Sequence, residues 1–66
     1  MQIVVNGEAT AIAENSSLAE LLAGMKLTRQ RVAVELNGEI VPRSRWAEVR
    51  LAENDRTEIV RAIGGG

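Results

Sequence analysis

The 66-residue chain contains neither cysteine nor histidine. Without cysteine, no disulfide can staple the fold and no thiolate can hold a metal. Without histidine, the commonest general base and metal ligand is missing. Tyrosine and phenylalanine are also absent, and Trp46 is the sole aromatic residue. An enzyme would have to be assembled from carboxylates, hydroxyls, Lys26 and seven arginines, a poor kit for a stand-alone catalyst. Ser16 and Ser17 have no base to activate them as nucleophiles, and they read as helix caps. An excess of either charge is lacking too: eight basic and nine acidic residues are interspersed, for a formal net charge of −1. No basic stripe is present to neutralise phosphates, which argues against nucleic acid as a partner. No apolar run approaches the ~20 residues that span a bilayer. Residues 1–7 show no charged region followed by an apolar stretch, so no secretory leader is expected. These absences lead to an expectation of a soluble cytoplasmic protein that acts through protein partners, with no metal and no cofactor bound by itself.

Sixty-six residues allow one domain, with a core that buries only about 60% of the unfolded surface. That core has to offset roughly 1.5 kcal/mol of conformational entropy per ordered residue. Local signals therefore matter. The chain opens with Gln2-Ile3-Val4-Val5, followed by Asn6-Gly7 and a second extended run over residues 8–13. Asn-Gly between two such runs is the strongest short hairpin signal, because both residues tolerate the positive φ of a type I′ turn. With Ile3 and Val5 inward, Gln2 and Val4 face outward.

Ser17 and Glu20 have capping-box spacing, and Leu18, Leu21, Leu22 and Met25 recur at helical spacing. They predict an amphipathic helix of about two turns, and Gly24 is the natural left-handed residue for its end. Val32, Val34 and Leu36 alternate with polar or small residues, and Asn37-Gly38 repeats the turn signal before residues 39–41. Pro42 ends that strand, because it has no donor for a ladder bond. Residues 43–50 read as irregular, with a single turn around Trp46; Trp46 and Leu51 are placed to close an open end of the core. Asn54-Asp55 leads into a last strand over residues 57–63. One helix across a mixed sheet of four to five strands fits this order, an α+β roll of the β-grasp type.

The C-terminal Gly64-Gly65-Gly66 is the anomaly. Three glycines add nothing to a core and lose the most backbone entropy on ordering. The division expected is a domain over residues 1–63 and a flexible glycine tail over residues 64–66. A glycine run is equally expected of a frayed end or a linker. Its distinctive capability is that a backbone without β-carbons can enter a narrow channel. Residues 62–66 fully extended would reach roughly 17 Å. The α-carboxyl group, with an ordinary pKa of about 3.3–3.7, is ionised at neutral pH and can attack an activated phosphate as an oxygen nucleophile. ATP and an enzyme would have to come from a partner.

The fold order and the terminal Gly65-Gly66 resemble the ubiquitin-like sulfur carriers. Residues 32–46, reading Val-Ala-Val-Glu-Leu-Asn-Gly-Glu-Ile-Val-Pro-Arg-Ser-Arg-Trp, closely resemble the central motif of the ThiS carriers of thiamin thiazole biosynthesis. Leu51, Asn54-Asp55-Arg56 and Glu58-Ile59-Val60 continue the match, which covers essentially the whole chain. The resemblance implies a ubiquitin-like roll with the last strand beside the first and parallel to it. It also implies that a ThiF-like adenylyltransferase converts the Gly66 carboxylate to an acyl adenylate with ATP and magnesium. Sulfur from a donor such as a cysteine desulfurase persulfide then gives a thiocarboxylate, which a ThiG-like thiazole synthase consumes. Gly65 and Gly64 would thread the partner's active site; Gly64 departs from the terminal Gly-Gly motif as added flexibility. A carrier for molybdopterin or another metabolite, a protein-conjugating ubiquitin-like modifier and an interaction module with an inert tail remain alternatives on the same residues.

Several residues carry two readings. Val4, Glu58, Val60, Arg61, Ala62 and Ile63 form a candidate partner surface around the last strand, although exposed valines and solvated charges are ordinary on a sheet. Arg43, Arg45 and Trp46 read as a docking patch or, preferably, as a core-closing Trp46 with two solvated arginines. Asp55 reads as a turn residue rather than a metal ligand, because no second carboxylate has suitable spacing.

Overall fold

The computed structural model describes residues 1–28 and 30–61. Strand β1 (Gln2–Val5) and strand β2 (Glu8–Ala11) form an antiparallel hairpin, with Ile3 opposite Thr10 and Val5 opposite Glu8. Its turn is the expected one: Asn6 and Gly7 both have positive φ, at 50° and 85°. Strands β3 (Val32–Leu36) and β4 (Glu39–Ile40) repeat the device, with Asn37 at 51° and Gly38 at 88°. Strand β5 (Arg56–Arg61) lies between the two hairpins. It runs parallel to β1 and antiparallel to β3, giving a five-stranded mixed sheet in the order β2-β1-β5-β3-β4. This is the β-grasp arrangement, with β5 as the central strand. The tail end of the last strand, Ala62 and Ile63, lies outside the described residues, as does the boundary drawn at residue 63.

Helix α1 (Leu18–Gly24) forms because its start is capped from both sides. The Glu20 amide donates to Ser17 Oγ at 3.0 Å, and the Ser17 amide donates to the Glu20 carboxylate at 2.8 Å. Two otherwise orphaned N–H groups are thereby satisfied. The helix lays Leu18, Leu21 and Leu22 on Ile3, Val5, Val34 and Ile59 of the sheet, and Trp46 and Leu51 complete this core. Met25 departs from the expected stripe. It is the residue just past the helix and is 40% exposed, so the stripe ends at Leu22.

The helix end also differs from expectation. Gly24 stays helical, and Lys26 is the residue in the left-handed region, with φ of 61°. Residues 43–45 form a single 3-10 turn that runs into Trp46, so the irregular stretch does contain one turn there. Trp46 is buried, and its indole N–H donates to the Val41 carbonyl at 3.0 Å. Arg43 is not simply solvated. Its guanidinium donates to the carbonyls of Thr28 and Gln30 and stacks over the Trp46 ring at 4.7 Å from the centroid. Arg45 is exposed and pairs with Glu48 at 3.7 Å. Among the described residues no helix is long and apolar enough to cross a membrane.

Candidate functional site

The carboxylate expected to carry the chemistry belongs to Gly66, which, with Ala62, Ile63, Gly64 and Gly65, lies outside the described residues. What the structure describes is the platform from which that segment departs. From Arg56 to Val60 strand β5 alternates: Thr57 and Ile59 are buried on the helix side, while Arg56, Glu58 and Val60 are exposed on the outer face. Thr57 is 1% exposed, and its hydroxyl donates to the Val4 carbonyl at 3.1 Å. A polar side chain is tolerated there because its hydrogen bond is made inside the sheet.

The two Asn-Gly turns do more than reverse the chain. Asn6 Oδ1 accepts the Ile59 amide at 2.7 Å, and Asn6 Nδ2 donates to the Ile59 carbonyl at 3.2 Å. The side-chain amide stands in for a peptide group of β1 and prolongs the β1–β5 ladder past the turn. Asn37 does a related job at the start of β5, where its Oδ1 accepts the Arg56 amide at 3.0 Å. Its Nδ2 donates to Asp55 Oδ1 at 3.1 Å, while Asp55 Oδ2 accepts the Ala52 amide at 2.8 Å. Asp55 is thus a turn residue, as expected. Among the described residues no group of three or more acidic side chains is placed to hold a metal.

These clamps were missed at the level of sequence, where Asn6 and Asn37 read only as turn residues. The available signal was the choice of Asn in both turns, since Asp-Gly or Gly-Gly would have served the backbone alone. Asn alone offers a donor and an acceptor to a third strand.

The candidate partner surface resolves unevenly. Val4 is half-buried, whereas Val60 is 57% exposed. Both lie on the outer face, but Val4 pairs with Arg56, so Val60 sits four residues further along β5, roughly 13 Å away at strand spacing. They are not a contiguous pair. Val60 instead lies opposite Ala33, and Glu58 lies directly opposite Glu35. Neither carboxylate has an ion-pair partner among the described residues, and like charges in that position weaken a sheet. Ile40, 71% exposed, faces Glu35 from β4. Arg61 is exposed at the end of β5 on the side of Thr57 and Ile59.

Comparison with known proteins bears on this platform. The ThiS family model matches residues 3–66, which includes the terminal glycines. A thiazole synthase of Paramagnetospirillum magneticum is 41% identical over all 66 residues, which span only 20% of that protein's length. The sulfur carrier protein ThiS of Escherichia coli is 32% identical, with each chain covered completely. The crystal structure of the thiamine biosynthesis protein ThiS from Geobacter metallireducens superposes with a TM-score of 0.87 at 33% identity, again with both chains covered completely. The roll, the clamped central strand and the match running to the last glycine agree, and the chain belongs to the ThiS family of sulfur carriers.

Proposed function

We propose that this chain carries sulfur for thiazole formation in thiamin biosynthesis on the main-chain carboxyl group of Gly66. The observation that carries this reading is the family match through residue 66, joined to a domain whose central strand leads directly to those glycines. The carboxylate oxygen attacks the α-phosphorus of ATP in an adenylyltransferase partner, with magnesium held there, and pyrophosphate leaves. The acyl adenylate is a far better electrophile than the carboxylate. The outer sulfur of a partner's persulfide then attacks the acyl carbon and AMP leaves. A second thiol of the partner cleaves the resulting acyl disulfide by thiol–disulfide exchange, releasing the Gly66 thiocarboxylate and leaving a disulfide on the partner.

In this scheme the chain is a protein co-substrate and not an enzyme. That fits its lack of histidine and cysteine, since the chain contributes only its terminal carboxylate, and every side-chain acid or base and the sulfur nucleophile are supplied by a partner. A thiazole synthase is the proposed sulfur acceptor. The Paramagnetospirillum thiazole synthase contains a region like this chain within its own length, which supports a pairing of the two activities.

The test is intact mass spectrometry of the chain incubated with ATP, a sulfur donor and the ThiF-like adenylyltransferase of its own organism. A mass gain equal to replacement of one oxygen by sulfur is expected, and a chain lacking Gly65 and Gly66 should show none. Among the described residues the buried core lies between Ile3 and Ile59, so the shortened chain should keep its fold. Failure of the full chain to form either adenylate or thiocarboxylate with an active partner would defeat the reading. Isopeptide adducts on lysines would replace it with a protein modifier.

A further inference from the structure

Hydrogen-bond parity along β5 leaves one main-chain position open at the root of the tail. The even-numbered residues turn their N–H and C=O groups toward β3: the Asn37 amide donates to the Arg56 carbonyl at 2.8 Å, and Glu58 and Val60 follow opposite Glu35 and Ala33. The odd-numbered ones turn toward β1. The Val4 amide donates to the Asp55 carbonyl, and the Asn6 amide donates to the Thr57 carbonyl, both at 2.9 Å. At Ile59 the β1 chain has already turned away, and the Asn6 side chain fills its place. Two residues later the same parity points the N–H and C=O of Arg61 into the same lane, about 7 Å beyond the Asn6 clamp. Opposite it on the other side, Val32 belongs to a pair that exchanges no hydrogen bonds,. Among the described residues no main-chain hydrogen bond reaches Arg61 in this lane.

We propose that this lane takes an extended segment of the enzyme that adenylates Gly66, added as a strand alongside Arg61 with a carboxylate on the Arg61 guanidinium. The proposal rests on the sulfur-carrier reading and specifies how the carrier is gripped. Two observations select the occupant. Arg61 precedes Gly66 by only five residues, so an enzyme enclosing the terminal carboxylate must run polypeptide close to this edge. The Arg61 side chain is exposed and has no ion-pair partner among the described residues, which leaves a cation beside the lane for an acidic group. Strand addition to an exposed edge draws its affinity from main-chain bonds and its selectivity from such flanking side chains. Asn6 sets where the lane begins, because its amide closes the ladder at Ile59.

Amide hydrogen exchange on the full chain, read by NMR with and without the adenylyltransferase and ATP, tests this directly. The Ile59 and Val60 amides should be protected in both states. The Arg61 amide should exchange freely in the carrier alone and slow by about tenfold or more in the complex. Arg61→Glu should raise the KM for adenylation by about tenfold, the loss of a close charge pair, while leaving kcat and thermal stability unchanged. An Arg61 amide that stays unprotected while Gly66 is adenylated would overturn strand addition, and an unchanged KM for R61E would overturn the acidic contact. Protection that grows with carrier concentration in the absence of enzyme would assign the lane to a second copy and likewise overturn the proposal. If the full chain is never adenylated, the carrier reading itself fails and this inference falls with it; an adenylated carrier with an unprotected Arg61 fails only here.

Discussion

The Leu27 amide donates to the Leu22 carbonyl at 2.9 Å, five residues back, and inside this loop the Lys26 amide donates to Ala23 at 3.0 Å. Together they close α1 with the paired bonds of a Schellman motif, and Leu27 folds back onto the core beside Leu22,. The motif needs its left-handed residue at Lys26, where a β-carbon is strained,. Lys26→Gly should therefore stabilise the protein by about 0.5–1 kcal/mol, the relief of that strain less the greater entropy of unfolded glycine. Urea denaturation of the two proteins checks it, and a loss of stability would mean that the lysine makes a contact of its own.

Asn6 combines a left-handed turn position with two bonds to Ile59 across the sheet. Two substitutions separate these roles. Asn6→Gly keeps the turn and removes the bonds, leaving two part-buried main-chain groups of Ile59 unpaired, so a loss of about 1–2 kcal/mol is expected. Asn6→Ala also strains the turn and should lose roughly a further 1 kcal/mol. An Asn6→Gly variant as stable as wild type in denaturant titration would show that the amide clamp contributes nothing beyond the turn. Equal losses in the two variants would remove the strain of the turn from the account.

How far the sequence revealed the molecule follows the range of the interactions. The Asn-Gly turns, the Ser17–Glu20 box and the alternation of Val32, Val34 and Leu36 are decided within a few residues, and each stands where its residues imply. The helix end was misassigned because Gly24 is the better left-handed residue by type, while the bonds of Ala23 and Leu22 place that conformation at Lys26. The parallel pairing of β1 with β5 joins residues about fifty apart; no local pattern encodes it, and only the family resemblance supplied it. Register has the same character. Val4 and Val60 share a face by parity, yet their separation depends on Val4 pairing with Arg56. The glycine tail was legible as chemistry because it contradicts everything a core needs, whereas the open edge at Arg61 emerges only once β1 has been seen to stop at Asn6.

Glu20 makes part of the stability pH-dependent. Its carboxylate is held below the ordinary glutamate value first by the Ser17 amide, then by the Ser17 hydroxyl, with a smaller contribution from the Arg50 guanidinium at 3.4 Å. A lowered folded-state pKa means that the contribution is complete above the ordinary glutamate value and is lost as pH falls through the lowered one. Glu20→Gln keeps an acceptor but not the charge. The melting temperature of wild type should exceed that of E20Q at neutral pH, and the gap should close on acidification. A gap independent of pH would place the effect in packing. Ser17→Ala removes the other half of the box and should lose about 1 kcal/mol at neutral pH.

Arg43 ties the segment ahead of β3 to the turn that carries Trp46. Its guanidinium bonds the carbonyls of Thr28 and Gln30, just ahead of β3, and its plane covers Trp46 at 4.7 Å from the ring centroid. Trp46 in turn holds Val41 through its indole N–H. A stacked cation at an exposed site contributes about 0.5–1 kcal/mol, and two charge-assisted bonds to solvent-accessible carbonyls add a similar amount. Arg43→Ala should then lose about 1–2 kcal/mol, which in a domain of this size lowers the melting temperature by roughly 4–15 °C. Arg43→Lys keeps the charge but not the planar fork, so it should recover less than half of the loss. Trp46 is the only fluorophore of its kind in the chain, so its emission reports the same contact. A shift is expected in folded R43A, where one face of the ring loses its cover, and R43K should lie between that variant and wild type. Full recovery by lysine in both measurements would reduce Arg43 to a point charge and remove the fork from the account.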